Sequence, residues 1–175
     1  MNISLNTQLS SLSSLSSRQT GLTLLELLVV MLLVAMLTGW GLYQWRDYQQ
    51  ALRLEQSALQ LQAFLTRLQT DANWRNRAAL LWLQPGAHWC VGSGTPVSCQ
   101  TQTERWLFAA DQPGITLHSG QQKEIGFYGM RNNAQAGHMV LANSAGRIRL
   151  VLSARGRLRL CSEGSLVRSI PLCQP

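Results

Sequence analysis

The chain has 175 residues, 46% of them hydrophobic, and carries 15 basic against 8 acidic side chains for a net charge of +7. That length suits one domain plus an extra segment, and the apolar content is ample for a core, which excludes disorder beyond the ends. Fourteen of the fifteen cations are Arg, and from Ile125 onward seven Arg face a single acid, Glu163, so the last third suits an acidic partner surface, a phosphate backbone or a solvated basic face.

Residues 1 to 21 are dominated by Ser and Leu, with the stretch Ser10-Ser11-Leu12-Ser13-Ser14-Leu15-Ser16-Ser17 and one cation, Arg18. No packed structure is expected there. The apolar run from Leu22 to Tyr43 is about 22 residues, roughly 33 Å as a helix, enough to cross a hydrocarbon core. No A-x-A-like signal-peptidase site follows Leu37, so the segment reads as a retained anchor. Near its start stands Glu26. A carboxylate at bilayer depth costs roughly 2.5–3.5 kcal/mol on insertion scales, which calls for a partner; the plainer alternative is a glutamate near the headgroups, one turn inside an ordinary anchor.

The segment Gly21-Leu22-Thr23-Leu24-Leu25-Glu26 resembles the processing site of type IV prepilins and type II secretion pseudopilins. The resemblance implies that a prepilin peptidase cuts between Gly21 and Leu22 and methylates the new N-terminus at Leu22, leaving Glu26 as the fifth residue of the mature chain. Two departures stand out: Leu22 occupies a position where the family usually has Phe, and the leader is longer and less basic than most. The implied role of Glu26 is in assembly, where its charge is offset by the α-amine of a neighbouring subunit.

Beyond the anchor, Ala51, Leu54, Ala58, Leu61, Leu65, Leu68 and Ala72 recur at steps of three and four, one apolar stripe of an amphipathic helix, with Arg53, Glu55, Gln56, Gln60, Gln62 and Arg67 elsewhere around it. Anchor and stripe predict one helix from Leu22 to about Asn73, roughly 78 Å if straight, whose first half projects as a stalk and whose second half packs on its own head rather than on a coiled-coil partner. Gly39 and Gly41 interrupt it near the membrane exit, each costing about 1 kcal/mol relative to Ala. They permit either local unwinding or close approach of a neighbouring helix. Of six tryptophans, Trp40 and Trp45 are expected at the membrane boundary, and Trp74, Trp82, Trp89 and Trp106 in the core.

From Ala78 short apolar runs alternate with turn residues. Strands are predicted at Leu80 to Leu83, His88 to Val91, Trp106 to Phe108, Ile115 to His118, Ile125 to Tyr128, His138 to Leu141, Arg147 to Leu152 and Arg157 to Cys161. The fold class is α+β: a long N-terminal helix and an antiparallel β-rich head. The expected divisions are 1–21 as a removed leader, 22–43 as the membrane half of the helix, 44–74 as its amphipathic half and 75–175 as a periplasmic head. The four cysteines form two close pairs, Cys90 with Cys99 and Cys161 with Cys173, which read as disulfides in an exported chain. Four cysteines allow three connectivities, of which the nearest-neighbour one is expected; zinc, with His88 near Cys90, competes but lacks C-x-x-C spacing.

The head sharpens the resemblance. Tyr43 to Arg53, Asp71-Ala72-Asn73-Trp74-Arg75-Asn76-Arg77, Trp89-Cys90 with Cys99, Phe127-Tyr128-Gly129-Met130-Arg131-Asn132, Ala136-Gly137-His138 and Gly156-Arg157-Leu158-Arg159-Leu160-Cys161 resemble the prepilin peptidase-dependent protein A group, which is similar to minor pilins and H-type minor pseudopilins. This implies a low-abundance subunit that helps initiate a type IV pilus or secretion pseudopilus and sits near its tip. The implied partners are prepilin peptidase, other minor pilins or pseudopilins, the major subunit and an inner-membrane assembly platform.

Arg and apolar residues alternate in Gly146-Arg147-Ile148-Arg149-Leu150-Val151-Leu152 and again in Arg157-Leu158-Arg159-Leu160. A hairpin with Ile148, Leu150, Leu152, Leu158 and Leu160 on the core face needs a loop of three or five residues, and either register gathers Arg147, Arg149, Arg157 and Arg159 on the outer face. Gly-Arg-x-Arg strings resemble a DNA-contacting motif of some H-like minor pilins used in DNA uptake, which makes DNA a candidate partner; a solvated or subunit-contacting face is the alternative. No catalytic constellation appears: no G-x-S-x-G, no phosphate-cradling loop, no His pair at metal spacing. His88, His118 and His138 read as packing or surface residues, and the chain is expected to be no enzyme and to need no cofactor or metal.

Overall fold

The structure, a computed structural model, describes residues 23–96, 98–99, 106–109, 112–120, 125–129 and 133–174. It opens with one helix, α1 (Leu24–Arg75), within which two compact units divide between Trp40 and Gly41. In the first unit the apolar side chains of α1 are exposed, and a window of mean hydropathy 2.2 makes the helix long and apolar enough to cross a membrane. In the second unit α1 turns one face inward. Leu54, Ala58, Leu61 and Leu65 are fully buried and Leu68 and Ala72 nearly so, because steps of three and four keep residues on one side of a helix with 3.6 residues per turn.

The helix stops at a left-handed residue. Asn76 has φ 49°, and Arg77 N–H donates to Ala72 O at 3.1 Å, which closes the last turn as a Schellman motif with Asn in place of the usual Gly. Gly129 packs against this end: a Cβ there would lie 2.6 Å from Ala72 O and 2.5 Å from Arg77 N, so no larger residue fits without moving backbone.

Among the described residues nine strands follow, arranged in two antiparallel sheets. The first has the order β3-β2-β1-β5-β6, formed by β1 (Ala79–Gln84), β2 (Cys90–Ser93), β3 (Leu107–Ala109), β5 (Ile125–Tyr128) and β6 (Asn133–Gln135). The second has the order β4-β7-β8-β9, formed by β4 (Thr116–Ser119), β7 (Gly137–Asn143), β8 (Gly146–Leu152) and β9 (Leu158–Glu163). The sheets are joined where Gly86, in the turn after β1, exchanges two backbone hydrogen bonds with Leu117 of β4, at 3.1 and 3.2 Å. A single core unites α1 with Leu81, Val91, Ile125 and Phe127 of the first sheet and Leu117, Met139, Leu141, Ile148, Leu150 and Leu152 of the second. Each of the larger side chains contributes about 1.5–3 kcal/mol by leaving water.

Several expectations change. β6 was not anticipated, because Asn133-Ala134-Gln135 has no apolar alternation and becomes a strand through its pairing with β5. Trp74 is 86% exposed rather than buried, since it lies two residues past Ala72 and so points away from the stripe. Trp82 stands on the outer face of β1 and covers Gly92, where a Cβ would meet its ring at 2.3 Å. Trp89 is core, its indole N–H donating to Ile115 O at 3.1 Å, and Trp106 is half-buried against Phe64. Glu55, assigned to the polar side of the helix, is only 8% exposed.

Candidate assembly site and arginine face

At the head of α1 the sequence Thr23-Leu24-Leu25-Glu26 has the spacing of a capping box, and the Thr23 hydroxyl accepts a hydrogen bond from Glu26 N–H at 3.3 Å. Glu26 is exposed in the first helical turn among exposed leucines, Leu24, Leu25, Leu27 and Leu28. A carboxylate near a helix N-terminus is favoured by the helix dipole, yet a greasy surround supplies no counter-ion of its own. Gly21 and Leu22, on which the cleavage expectation rests, lie outside the described residues.

The arginine face is built by β8 and β9. Their register pairs Leu152 with Leu158, Leu150 with Leu160 and Arg149 with Cys161, so the five residues Ser153 to Arg157 form the connection. The turn is closed by Ser153: its N–H donates to Arg157 O at 3.0 Å and its hydroxyl accepts from Arg157 N–H at 3.1 Å. Arg147, Arg149, Val151 and Arg159 share the outer face, but the four anticipated cations are not equivalent. Arg149 Nε lies 2.5 Å from Glu163 Oε1, and Arg147 stands opposite Glu163 in the register. Sequence alternation alone missed two members of this surface. Arg155, in the connection, joins Arg157 and Arg159 around a cleft of about 480 Å³ floored by Val151, Ser153 and Ala154, and Glu163 neutralises the opposite end of the face. Leu158 and Leu160 are half-buried, because β9 is the sheet's last strand.

Disulfides join Cys90 to Cys99 and Cys161 to Cys173, with Cα separations of 5.6 and 4.8 Å. The second ties β9 to the C-terminal tail, whose Pro171 O and Cys173 N–H both bond the backbone of Ser162. Just upstream, the turn from Val167 to Ile170 reaches α1. Arg168 Nε donates to Glu55 Oε2 at 2.6 Å, the Ser169 hydroxyl donates to Glu55 Oε1, and the guanidinium lies 4.7 Å from the centre of the Tyr48 ring. The Ser169 hydroxyl, and then Arg168, hold the Glu55 carboxyl below its ordinary value against the opposing effect of burial. Glu55 was legible in principle: it lies four residues after Ala51 and three before Ala58, on the edge of the stripe. His88 and His118 are exposed, and among the described residues no three His, Cys, Asp or Glu side chains gather as a metal site.

Residues 16–42 match the prokaryotic N-terminal methylation motif. The fold is similar to that of the type IV minor pilin FimU of Pseudomonas aeruginosa, with a TM-score of 0.50 and 16% identity over 64% of this chain and 93% of that one. A second crystal form of FimU aligns with a TM-score of 0.48, also at 16% identity, over 63% of this chain and 98% of that one. No match is found among curated proteins. The chain thus combines a fold similar to that of a minor pilin with an N-terminal methylation motif at the start of its long helix.

Proposed function

We propose that the chain is a minor pilin or pseudopilin subunit, processed between Gly21 and Leu22, held in the inner membrane by residues 22–43 with its head in the periplasm, and drawn from there into a type IV pilus or type II secretion pseudopilus. The observation that carries this reading is one carboxylate, Glu26, in the first turn of an exposed apolar helix that continues into a pilin-fold head. Such a chain works by packing. Apolar helices from successive subunits lie side by side, and Glu26 sets their axial offset by meeting the α-amine of the next subunit, the arrangement that removes its desolvation penalty. Resemblance to the H-type subunits supports a place near the filament tip and a part in initiation. The prepilin peptidase, other minor subunits, the major subunit and the assembly platform are the partners, and the role is structural rather than enzymatic. Mass analysis of the mature protein tests the reading: an N-methylated Leu22 is expected, and an intact leader or a terminus elsewhere overturns it.

A second reading, an envelope DNA-binding subunit, is favoured by one observation, the cleft with Arg155, Arg157 and Arg159 and no carboxylate among its described lining residues. Three guanidinium forks suit phosphate oxygens and give binding that is independent of sequence and weakens with salt. Gel-shift titration of the full chain in detergent with duplex DNA tests it. Affinity unchanged by Arg155→Ala, Arg157→Ala and Arg159→Ala together removes the idea.

A further inference from the structure

Glu55 is a carboxylate built into the apolar side of α1, beside fully buried Leu54 and Ala58, and its polar neighbours come from a turn 113 residues away. That turn is unusual in itself. Val167 and Ile170 are buried in the core and bonded across the turn at 3.0 Å, while Arg168 between them adopts φ 49°, a left-handed conformation that side-chain-bearing residues rarely hold without compensation. Both residues at the tip, Arg168 and Ser169, close on the same carboxylate, and Arg168 also covers Tyr48 one helical stretch earlier. The segment's covalent tie is Cys161–Cys173, which returns the tail to β9 immediately after the turn. A loop closed at both ends samples far fewer arrangements than a free tail, so this bond keeps the turn near α1.

We propose that the Val167–Ile170 turn is a clasp on Glu55 whose closure depends on the Cys161–Cys173 bond, so that α1 seats its residues 48–58 on the head only after oxidation. Forming the bond removes two protons and two electrons from the thiol pair and passes them to a disulfide-bearing oxidant, which becomes a dithiol. With the thiols free, the tail is held by backbone and hydroxyl hydrogen bonds to Ser162, by the burial of Val167 and Ile170 and by the Glu55 contacts themselves, all of them non-covalent and reversible. When it detaches, Glu55 faces the core without a cation or hydroxyl, a state that favours release of its stretch of helix into water. Glu55 thus makes the helix sensitive to the state of a tail far away in sequence. This inference concerns the second unit of the chain alone and is independent of whether the protein enters a filament.

The test is amide hydrogen exchange on the full chain in detergent micelles, comparing residues 48–58 with residues 61–72. Cys161→Ser with Cys173→Ser should speed exchange over 48–58 by about tenfold or more and leave 61–72 protected, as expected of a local opening. Cys90→Ser with Cys99→Ser, the control for loss of a disulfide elsewhere, should not. Adding Glu55→Gln to the first variant should restore much of the protection, since the uncharged side chain tolerates an open clasp. Equal exchange over 48–58 with and without the Cys161–Cys173 bond overturns the proposal, as does loss of protection along the whole helix or an acceleration unmoved by Glu55→Gln.

Discussion

Arg149 Nε meets Glu163 Oε1 at 2.5 Å across the β8–β9 pair, and this one contact divides the arginine face into a neutralised end and a cationic end. If the cationic end binds a polyanion, Glu163→Gln should strengthen binding by freeing Arg149, making the negative slope of log affinity against log salt steeper by about 0.9. Replacing Arg157 or Arg159 by Ala should make that slope shallower by about the same amount each. A salt series with duplex DNA reads both, and slopes that stay put in both directions exclude the cleft as a phosphate site.

Glu26→Ala should leave the protein cleaved and in the membrane, because removing a carboxylate from an apolar helix lowers the cost of insertion. Its appearance in sheared filaments should fall to background, with Glu26→Asp intermediate. Immunoblots of membrane and sheared fractions make the comparison. Wild-type levels of Glu26→Ala in the sheared fraction would remove the counter-ion mechanism.

The buried stripe of α1 should dominate stability. Leu61 is fully buried, whereas Leu59, two residues earlier, is 47% exposed. Thermal or denaturant unfolding of the full chain in micelles should show Leu61→Ala destabilised by about 2–5 kcal/mol and Leu59→Ala within about 0.5 kcal/mol of wild type.

The Glu55 clasp predicts a pH dependence of definite sign. Its carboxyl, with an ordinary value of 4.5, is lowered in the folded chain by Ser169 and Arg168. A lowered carboxylate value means that the unfolded chain takes up the proton first on acidification. The stabilisation is therefore complete above pH 4.5 and is lost as the pH falls from there through the lower folded value. Denaturation curves should show the advantage of wild type over Glu55→Gln constant from neutral pH down to about 5 and shrinking below that. An advantage that grows on acidification would contradict the geometry.

Much of the architecture is written in local periodicity. The spacing of Leu54, Leu61, Leu65 and Leu68 places α1 and its inward face, and alternation in Gly146 to Leu152 places β8 and sorts Arg147 and Arg149 from Ile148 and Leu150. Such patterns are legible because burial repeats with the period of the backbone, which a single chain segment already expresses. The anchor and its one carboxylate are legible for a similar reason, as a run of residues sharing one solvent preference.

What only the tertiary structure decided is which charges meet. Glu163 looks like a lone acid among seven arginines until the β8–β9 register sets it across from Arg147 and beside Arg149. Glu55 reads as a polar-face residue until a left-handed turn near the C-terminus brings Arg168 and Ser169 onto it. β6 becomes a strand by pairing with β5, and Asn76 ends the helix while Gly129 makes room for that end. For the two carboxylates the outcome depends on side chains distant in sequence arriving within a few ångströms, and Coulomb and hydrogen-bond energies act over that distance rather than along the chain.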